Sequence, residues 1–303
     1  MTVEITGIGA NVYDTLVKLP AFPVEDTKCV VNAVAASGGG PCGTGLVAAA
    51  KLGAKVSLLA VLSNDAGGTF LLDDYHRYGV DTRLVTRCDG ESFSATVLLN
   101  EATGSRTCLL NRGTLPALEL SEAQKQEIAS AKVLLLDGNE MAAAMEGAKV
   151  ARSAGVKVLY DAGGLYPQVS ALLPLVDLLI PSAEFAMGHT GTTNIEDAAR
   201  VLMEQYHPEI VVVTDGARGG LLDDGKKQTR YPAFPVTVAD SNGAGDVFHG
   251  AFAFAVTCGW DYAKCAVFSS AVSALKCTQL GARPGVPTYP QTMQFLEERN
   301  YVL

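Results

Sequence analysis

Asp246 ends the stretch Asp240-Ser241-Asn242-Gly243-Ala244-Gly245-Asp246, and the chain then runs into an apolar segment at 247–256. The pattern predicts a tight turn of small residues opening directly into a helix. Gly243, Ala244 and Gly245 have almost no side chain, so their backbone N–H groups can converge on an anion. The first helical turn adds unpaired donors and the positive end of the helix dipole. Asp246 places a carboxylate inside that turn, beside whatever the turn binds. An anion hole next to a base is what transfer of a phosphoryl group to a hydroxyl requires. Backbone dipoles stabilise the charge spreading over the moving group, and the carboxylate takes the hydroxyl proton. The same residues also suit a plain Gly-rich turn in which Asp246 only favours the helix dipole, so the motif needs company before it carries a function.

The elements that must position this turn follow from hydrophobic periodicity. From residue 133 onward, apolar strands at 133–136, 156–160, 178–180 and 210–214 alternate with helical patterns near 139–154, 183–188 and 194–206. Such alternation predicts an α/β fold, a doubly wound, mostly parallel sheet flanked by helices. Ligands in such folds bind at the carboxyl edge, and Asp137, Asp161, Ser182 and Asp215 all fall at or just past strand ends there. The first half is less regular. A strand at 3–8 leads to a polar loop carrying Asn11 and Asp14, and short strands are expected at 29–35, 92–100 and 105–111, the last two flanking a hairpin turn at 101–104. These predict a small β layer apart from the main sheet. Between them, residues 38–68 read as a Gly-rich turn, a helix ending near Gly53, a strand at 56–62 and a helix opened by Asp65. The helices at 247–256 and 262–277 are rich in Ala, Phe and Val and are expected in the core.

Composition narrows the function classes. The 303 residues are 48% hydrophobic with a net charge of −9 and no Lys/Arg-rich run, which argues against nucleic acid or an anionic membrane as partner. The seven cysteines form no CxxC pair, so neither a disulfide framework nor a metal cluster is expected, and a reducing cytoplasm fits. The first residues lack the basic start of a signal peptide, and no apolar run reaches membrane-spanning length. A cytoplasmic protein acting on a small molecule is expected. The four histidines show no metal spacing; His249, three residues after Asp246, reads as a helix-packing residue.

Two other glycine patterns compete with the 240–246 turn. Residues 220–227 resemble a phosphate-binding loop but lack the closing Ser/Thr and carry Asp223 and Asp224, so they read as a turn between strands. Gly43-Thr44-Gly45-Leu46-Val47-Ala48 fits a dinucleotide pattern. The strand before it ends early, however, and no acidic residue closes the strand after it. A dinucleotide-dependent oxidoreductase using this turn stays as the alternative of a different class.

Taken together, four ordered landmarks resemble the ribokinase-like, or PfkB, family of carbohydrate and nucleoside kinases. They are the Gly-rich segment 38–68, Pro181-Ser182-Ala183-Glu184, the strand and turn Thr214-Asp215-Gly216-Ala217-Arg218-Gly219, and the 240–246 turn, with Ser241 in the place of a Thr. The likeness runs from the first strand to Gly281-Ala282-Arg283-Pro284-Gly285, essentially the whole chain taken as one domain, with lid segments near 12–36 and 92–112 inserted in it.

The resemblance implies roles. Asp246 would be the general base, with Gly243, Ala244, Gly245 and the Asp246 amide as the anion hole. Thr214, Gly216, Gly219 and Ser182 would bed ATP, and Glu184 would help hold Mg²⁺ through water, with a monovalent cation such as K⁺ as a further cofactor. Asn11 and Asp14 would grip sugar hydroxyls, Gly39 and Gly40 would let the backbone approach the substrate, and Thr44 and Arg106 complete the substrate set. Thr44 stands where many relatives have Asn, and Pro41 where a cationic group is frequent, which favours an unphosphorylated acceptor; Arg106 and Arg112 keep a phosphosugar open. The small β layer would act as a lid and pair with a second copy in a homodimer. The expected reaction is ATP-dependent phosphorylation of a small sugar, a ketohexose or a sugar acid among them. A nucleoside is the second acceptor, with Tyr13, Phe22 and Phe93 available for stacking, and a non-catalytic sugar- or nucleotide-binding regulator is the third reading.

Overall fold

Apolar runs with no polar face, such as Val133–Leu136 and Leu178–Pro181, are buried on both sides and require a sheet covered by helices above and below. In the computed structural model, which describes residues 2–164 and 166–301, β1 (Ile5–Ile8) leads into β2 (Val12–Leu19) and β3 (Ala33–Gly39). Helix α1 (Pro41–Leu52) returns to β4 (Val56–Leu59), followed by β5 (Val61–Ser63), α2 (Ala66–Arg77), β6 (Thr86–Cys88), β7 (Ser94–Asn100) and β8 (Arg106–Asn111). The second half winds through α3 (Glu122–Ser130), β9 (Val133–Leu136), α4 (Met141–Ser153), β10 (Lys157–Ala162), α5 (Val169–Leu172), β11 (Leu178–Pro181), α6 (Ala183–Thr190), α7 (Ile195–Tyr206) and β12 (Ile210–Thr214). The hairpin β13 (Gly220–Asp223) and β14 (Gln228–Tyr231) precedes α8 (Ala244–Thr257), α9 (Tyr262–Cys277) and α10 (Tyr289–Glu297).

The main sheet runs β14-β13-β12-β11-β10-β9-β1-β4. Its strands from β4 to β12 are parallel, and β13 and β14 are antiparallel, so the segment at 220–227 is a hairpin turn as expected. Strand alternation divides the core. Ile5, Val133, Leu135 and Val212 face α1, α8 and α9, whereas Ile8, Leu134, Leu136 and Val211 face α4 and α7. After β1 the chain crosses to β4 on one side and later returns to β9 on the other, with α1 and α4 on opposite faces. This is a topological switch point, and it opens a crevice at the carboxyl ends of β1 and β9. Asp137, at the end of β9, fills the base of that crevice. Its carboxylate accepts from Ala10 N (2.8 Å) and Cys42 N (3.0 Å), capping α1 from a distant element where Gly40 has no side chain to do so.

A second sheet, β3-β2-β7-β8, stands apart with its own small core of Ala10, Val12, Ala95 and Val97. Two expectations shift here. The strand placed at 29–35 lies instead at Ala33–Gly39, because its pairing with β2 runs from Lys18–Ala33 to Val12–Gly39 and draws Gly38 and Gly39 into the sheet. Asp14 accordingly lies within strand β2 and not in a loop. The strand expected at 56–62 breaks after Leu59, since β5 leaves the main sheet to pair with β6. Among the described residues no helix is long and apolar enough to cross a membrane.

Candidate active site

Gly243 begins α8 at φ +74, a left-handed conformation, and a side chain there would start 2.5 Å from the Ala282 Cβ, so glycine is required on both counts. The turn is pinned by Asp240, whose carboxylate accepts from Asn242 N (2.8 Å) and Gly281 N (2.9 Å). Ser273 Oγ donates to the Ala244 carbonyl oxygen at 2.6 Å from α9. Ala244 N already donates to Ser241 O at 3.2 Å, so it is the amide of the expected anion hole that the turn itself consumes. The N–H groups of Gly243, Gly245 and Asp246 have no acceptor among the described residues. The dipole of a 14-residue helix stands behind them.

Asp246 is half-buried in the first turn of α8. Burial pushes its carboxyl up to about 7, the Asp161 and Asp137 carboxylates add to the rise, and His249 and Arg106 oppose it. His249, one turn on, is enclosed. Its Nδ1 lies 2.6 Å from Gly245 O and 3.1 Å from Asp161 Oδ2, and its Nε2 lies 2.9 Å from Ile180 O. Burial holds its pKa below the ordinary value. It braces α8 against β11 and reaches neither cavity, as the packing reading of this histidine expects.

The turn into α8 borders two cavities, Ala244 and Gly245 lining one and Asn242 the other, while the Asp246 side chain lines neither. The larger, about 430 Å³, is lined by Thr214, Gly216 and Gly219 together with Ala244 and Gly245, and Phe248 is part of its apolar wall. The smaller, about 190 Å³, sits at the switch point and is lined by Asp14, Gly40, Phe93, Arg112, Asn139 and Asn242, among others. Ser182 is not on either lining; its hydroxyl accepts from Phe185 N at 3.1 Å and caps α6. Glu184, in the same turn, is exposed and makes no ion pair or hydrogen bond among the described residues.

On the smaller cavity, Asp14 is nearly sealed from solvent, and burial lifts its carboxyl to about 7, opposed by Arg283 and reinforced by Asp246. A side chain on Gly39 would start 2.1 Å from Asp14 Oδ2, so the backbone of β3 can lie against the carboxylate only because residue 39 is glycine. Arg112 stacks 4.8 Å over the Phe93 ring, and its Nη1 donates to Asn139 Oδ1 at 2.9 Å. Asn139 Nδ2 donates in turn to the Tyr166 hydroxyl at 3.1 Å.

Three expected substrate residues lie elsewhere. Asn11 turns away from the cavity, donating to Gly9 O at 2.9 Å and accepting from the Tyr75 hydroxyl. Thr44 is fully buried inside α1, because the Gly-rich turn ends at Gly40 and the helix begins three residues before it. Arg106 is exposed on β8 and lines neither cavity, although its charge reaches Asp246. The dinucleotide pattern 43–48 lies wholly within α1. Its Gly45 lets α1 cross α8 at Gly250, where a side chain would start 2.0 Å from the Gly45 carbonyl oxygen. Those glycines serve helix packing, not a cofactor turn.

Asn139, Tyr166 and Asn242 went unread as site residues. Position was the available signal for the first two, since both follow sheet strands at the carboxyl edge.

A family model described as pfkB family carbohydrate kinase matches residues 8–289. The chain belongs to that family. The kinase is 25% identical over 304 residues to the ribokinase of Haemophilus influenzae, covering 98% of this chain and 99% of the relative. It is 28% identical over 277 residues to the aminoimidazole riboside kinase of Salmonella typhimurium, covering 84% and 86% of the two chains. Among solved structures, Arabidopsis thaliana ribokinase complexed with ribose and ATP superposes with a TM-score of 0.89 at 25% identity, covering 98% of the kinase and 99% of that chain. The ribokinase-like fold and the carbohydrate-kinase class expected from the motifs are thereby established.

Proposed function

We propose that this kinase transfers the γ-phosphoryl group of Mg·ATP to a hydroxyl of a small sugar or sugar acid. The observation that carries the reading is the turn that Asp246 closes, whose Ala244 and Gly245 line a nucleotide-sized cavity and whose Asn242 lines a sugar-sized one. Thr214, Gly216 and Gly219 bed the nucleotide. Asp14 accepts hydrogen bonds from sugar hydroxyls. Asp246 takes the proton as the acceptor oxygen forms its bond to the γ-phosphorus, and the bond from that phosphorus to the β–γ bridging oxygen breaks to release ADP. The free amides of Gly243, Gly245 and Asp246 face the charge that develops on the moving group. Among the described residues no cluster of three or more His, Cys, Asp or Glu could hold a metal. Glu184, exposed at the start of α6 and without an ion pair among the described residues, would hold the ion through water. Mg²⁺ would supply neutralisation of phosphate charge.

Arg112 favours an acidic sugar over a nucleoside. Its guanidinium lies over the Phe93 ring, one of the aromatics open to a base, and presents donors to the cavity without a carboxylate partner among the described residues. The small sheet serves as the lid. Its exposed Val34 and Leu109, on the face turned away from the smaller cavity, give a second copy an apolar surface to cover, which supports a homodimer that sedimentation would test.

The test is ADP release from Mg·ATP against hexoses, pentoses, sugar acids, sugar phosphates and nucleosides, with Asp246→Asn alongside. One class of acceptor raising ADP release in the unmodified chain alone is the expected result. Silence with ATP bound leaves a kinase for an acceptor outside the panel or a binding protein, and silence without ATP binding ends the kinase reading.

A further inference from the structure

Behind the anion-binding turn lies a buried cation supplied by the chain itself. Lys276, in the last turn of α9, has no exposed surface. Its Nζ donates to the Asp240 carbonyl oxygen at 2.7 Å, and the Asp240 carboxylate lies 3.7 Å away. That carboxylate also takes the amides of Asn242 and Gly281, so one residue joins the ammonium to both the 240–246 turn and the loop carrying Ala282. The neighbouring Cys277 carbonyl accepts from Ala239 N at 2.8 Å and Asp240 N at 3.1 Å, closing the strand of chain that enters the turn onto the end of α9. Lys276 lines neither cavity, whereas Cys277 beside it lines the larger one.

A lysine with no access to water is costly unless its charge is met by an acidic group and its donors by oxygens. Asp240, the first residue of the turn, meets the charge with its carboxylate at 3.7 Å and one of the three donors with its carbonyl oxygen at 2.7 Å. The ammonium is therefore placed as a bound monovalent ion would be, facing a backbone carbonyl and a carboxylate, but tethered to the fold. Burial lowers the lysine's pKa, while Asp240, Cys277 and Asp246 pull it back up and Arg106 opposes them.

We propose that Lys276 is the resident monovalent cation of the Asp240–Asp246 turn, a positioning residue that sets the Gly243, Gly245 and Asp246 amides and removes any need for added K⁺. This differs from the cofactor expectation drawn from the sequence, in which a free monovalent ion accompanies Mg·ATP. It rests on the kinase reading only in using a nucleotide as one of two probes.

The test measures melting temperature and Mg·ADP affinity of the full chain in KCl and in tetramethylammonium chloride at equal ionic strength. The unmodified chain is expected to give the same values in both salts. Lys276→Met, which keeps bulk and removes charge, should melt lower and bind Mg·ADP about tenfold more weakly in either salt. Lys276→Gly, which opens a hole, should show both losses in tetramethylammonium and recover with K⁺, ammonium or ethylammonium. A filler with a purely structural role would not respond to small cations in this way.

An unmodified chain stabilised or tightened by K⁺ overturns the proposal, as does Lys276→Met with unchanged Mg·ADP affinity, or Lys276→Gly that no small cation rescues. If Lys276→Met does not fold, the unmodified chain and Lys276→Gly decide the matter. Absence of Mg·ADP binding by the unmodified chain would end the kinase reading instead, and the melting comparison would still decide the role of Lys276.

Discussion

Arg283 Nη2 donates to the Gly39 carbonyl oxygen at 2.8 Å, tying the loop after α9 to the last residue of β3. The same guanidinium donates to Asp74 Oδ2 and to the Tyr75 hydroxyl, each at 2.8 Å, and lies 4.4 Å above the Tyr75 ring. Ala282, beside it, abuts Gly243, and Gly39 abuts Asp14. One buried arginine thus fixes the anion-binding turn and the acceptor-side carboxylate relative to each other.

Replacing this arginine should expose the cost of a buried carboxylate left with one solvent-exposed partner. Asp74 is buried, and in Arg283→Met its carboxylate would lose the buried guanidinium and keep only the exposed Arg77, 3.5 Å away. A loss of about 3–5 kcal/mol is expected, read as a lower urea midpoint with an unchanged slope. Arg283→Lys should lose less, because it retains the charge but cannot reach three acceptors at once. Equal midpoints for Arg283→Met and the unmodified chain would show that the network carries no net stability.

Asp246→Asn tests the base directly. The amide preserves shape and leaves the backbone donors in place, so Mg·ADP affinity should be unchanged while acceptor-dependent turnover falls by about 10²–10⁴-fold. Turnover within a few-fold of normal would assign the proton acceptor to another group.

The raised carboxyl groups make stability and activity run in opposite directions with pH. Asp14 and Asp246 keep their protons up to about 7 in the folded chain, against about 4 in the unfolded one. Between these values the folded state binds more protons, so their contribution is full below about pH 4 and is lost as pH rises through about 7. Asp14→Asn removes one of these groups, and should melt several degrees higher than the unmodified chain above pH 7, with the difference shrinking toward pH 4. Turnover of the unmodified chain should instead climb with pH through about 7, as Asp246 ionises. A flat profile across that range would remove Asp246 as the titrating group.

What could be read from sequence divides by the range of the interactions involved. Strands β9 and β12 and helix α9 lie where their apolar patterns placed them, because burial on both faces of a sheet or within a helical core writes a continuous local run of apolar residues. The 240–246 turn was legible because its chemistry is carried by neighbours in the chain. Strand β3 was misplaced because Gly38 and Gly39 read as a turn, and only their close contacts with Arg283 and Asp14 explain glycine in a strand. Thr44 is a site residue only by the family resemblance, and the helix starting at Pro41 turns it into the core. The burial of Lys276 and of Arg283, the latter named only within the 281–285 landmark, left no signal. Charged residues are mostly exposed, and their buried partners lie 36 to 244 positions away.

Arg112 bears on which acceptor the kinase takes. Stacking on Phe93 and the bond to Asn139 hold its guanidinium at the rim of the smaller cavity with donors to spare. A hydrogen bond to a charged partner is worth about 1.5–3 kcal/mol, so Arg112→Met should raise KM for sugar acids by about 10–100-fold. Neutral sugars, which gain nothing from the charge, should be affected little, and the preference between the two classes should narrow or invert. Lysine at this position would keep the charge without the planar stack and should recover only part of the loss. If Arg112→Met weakened neutral and acidic sugars alike, the side chain would be supporting the cavity wall and not reading the acceptor's charge.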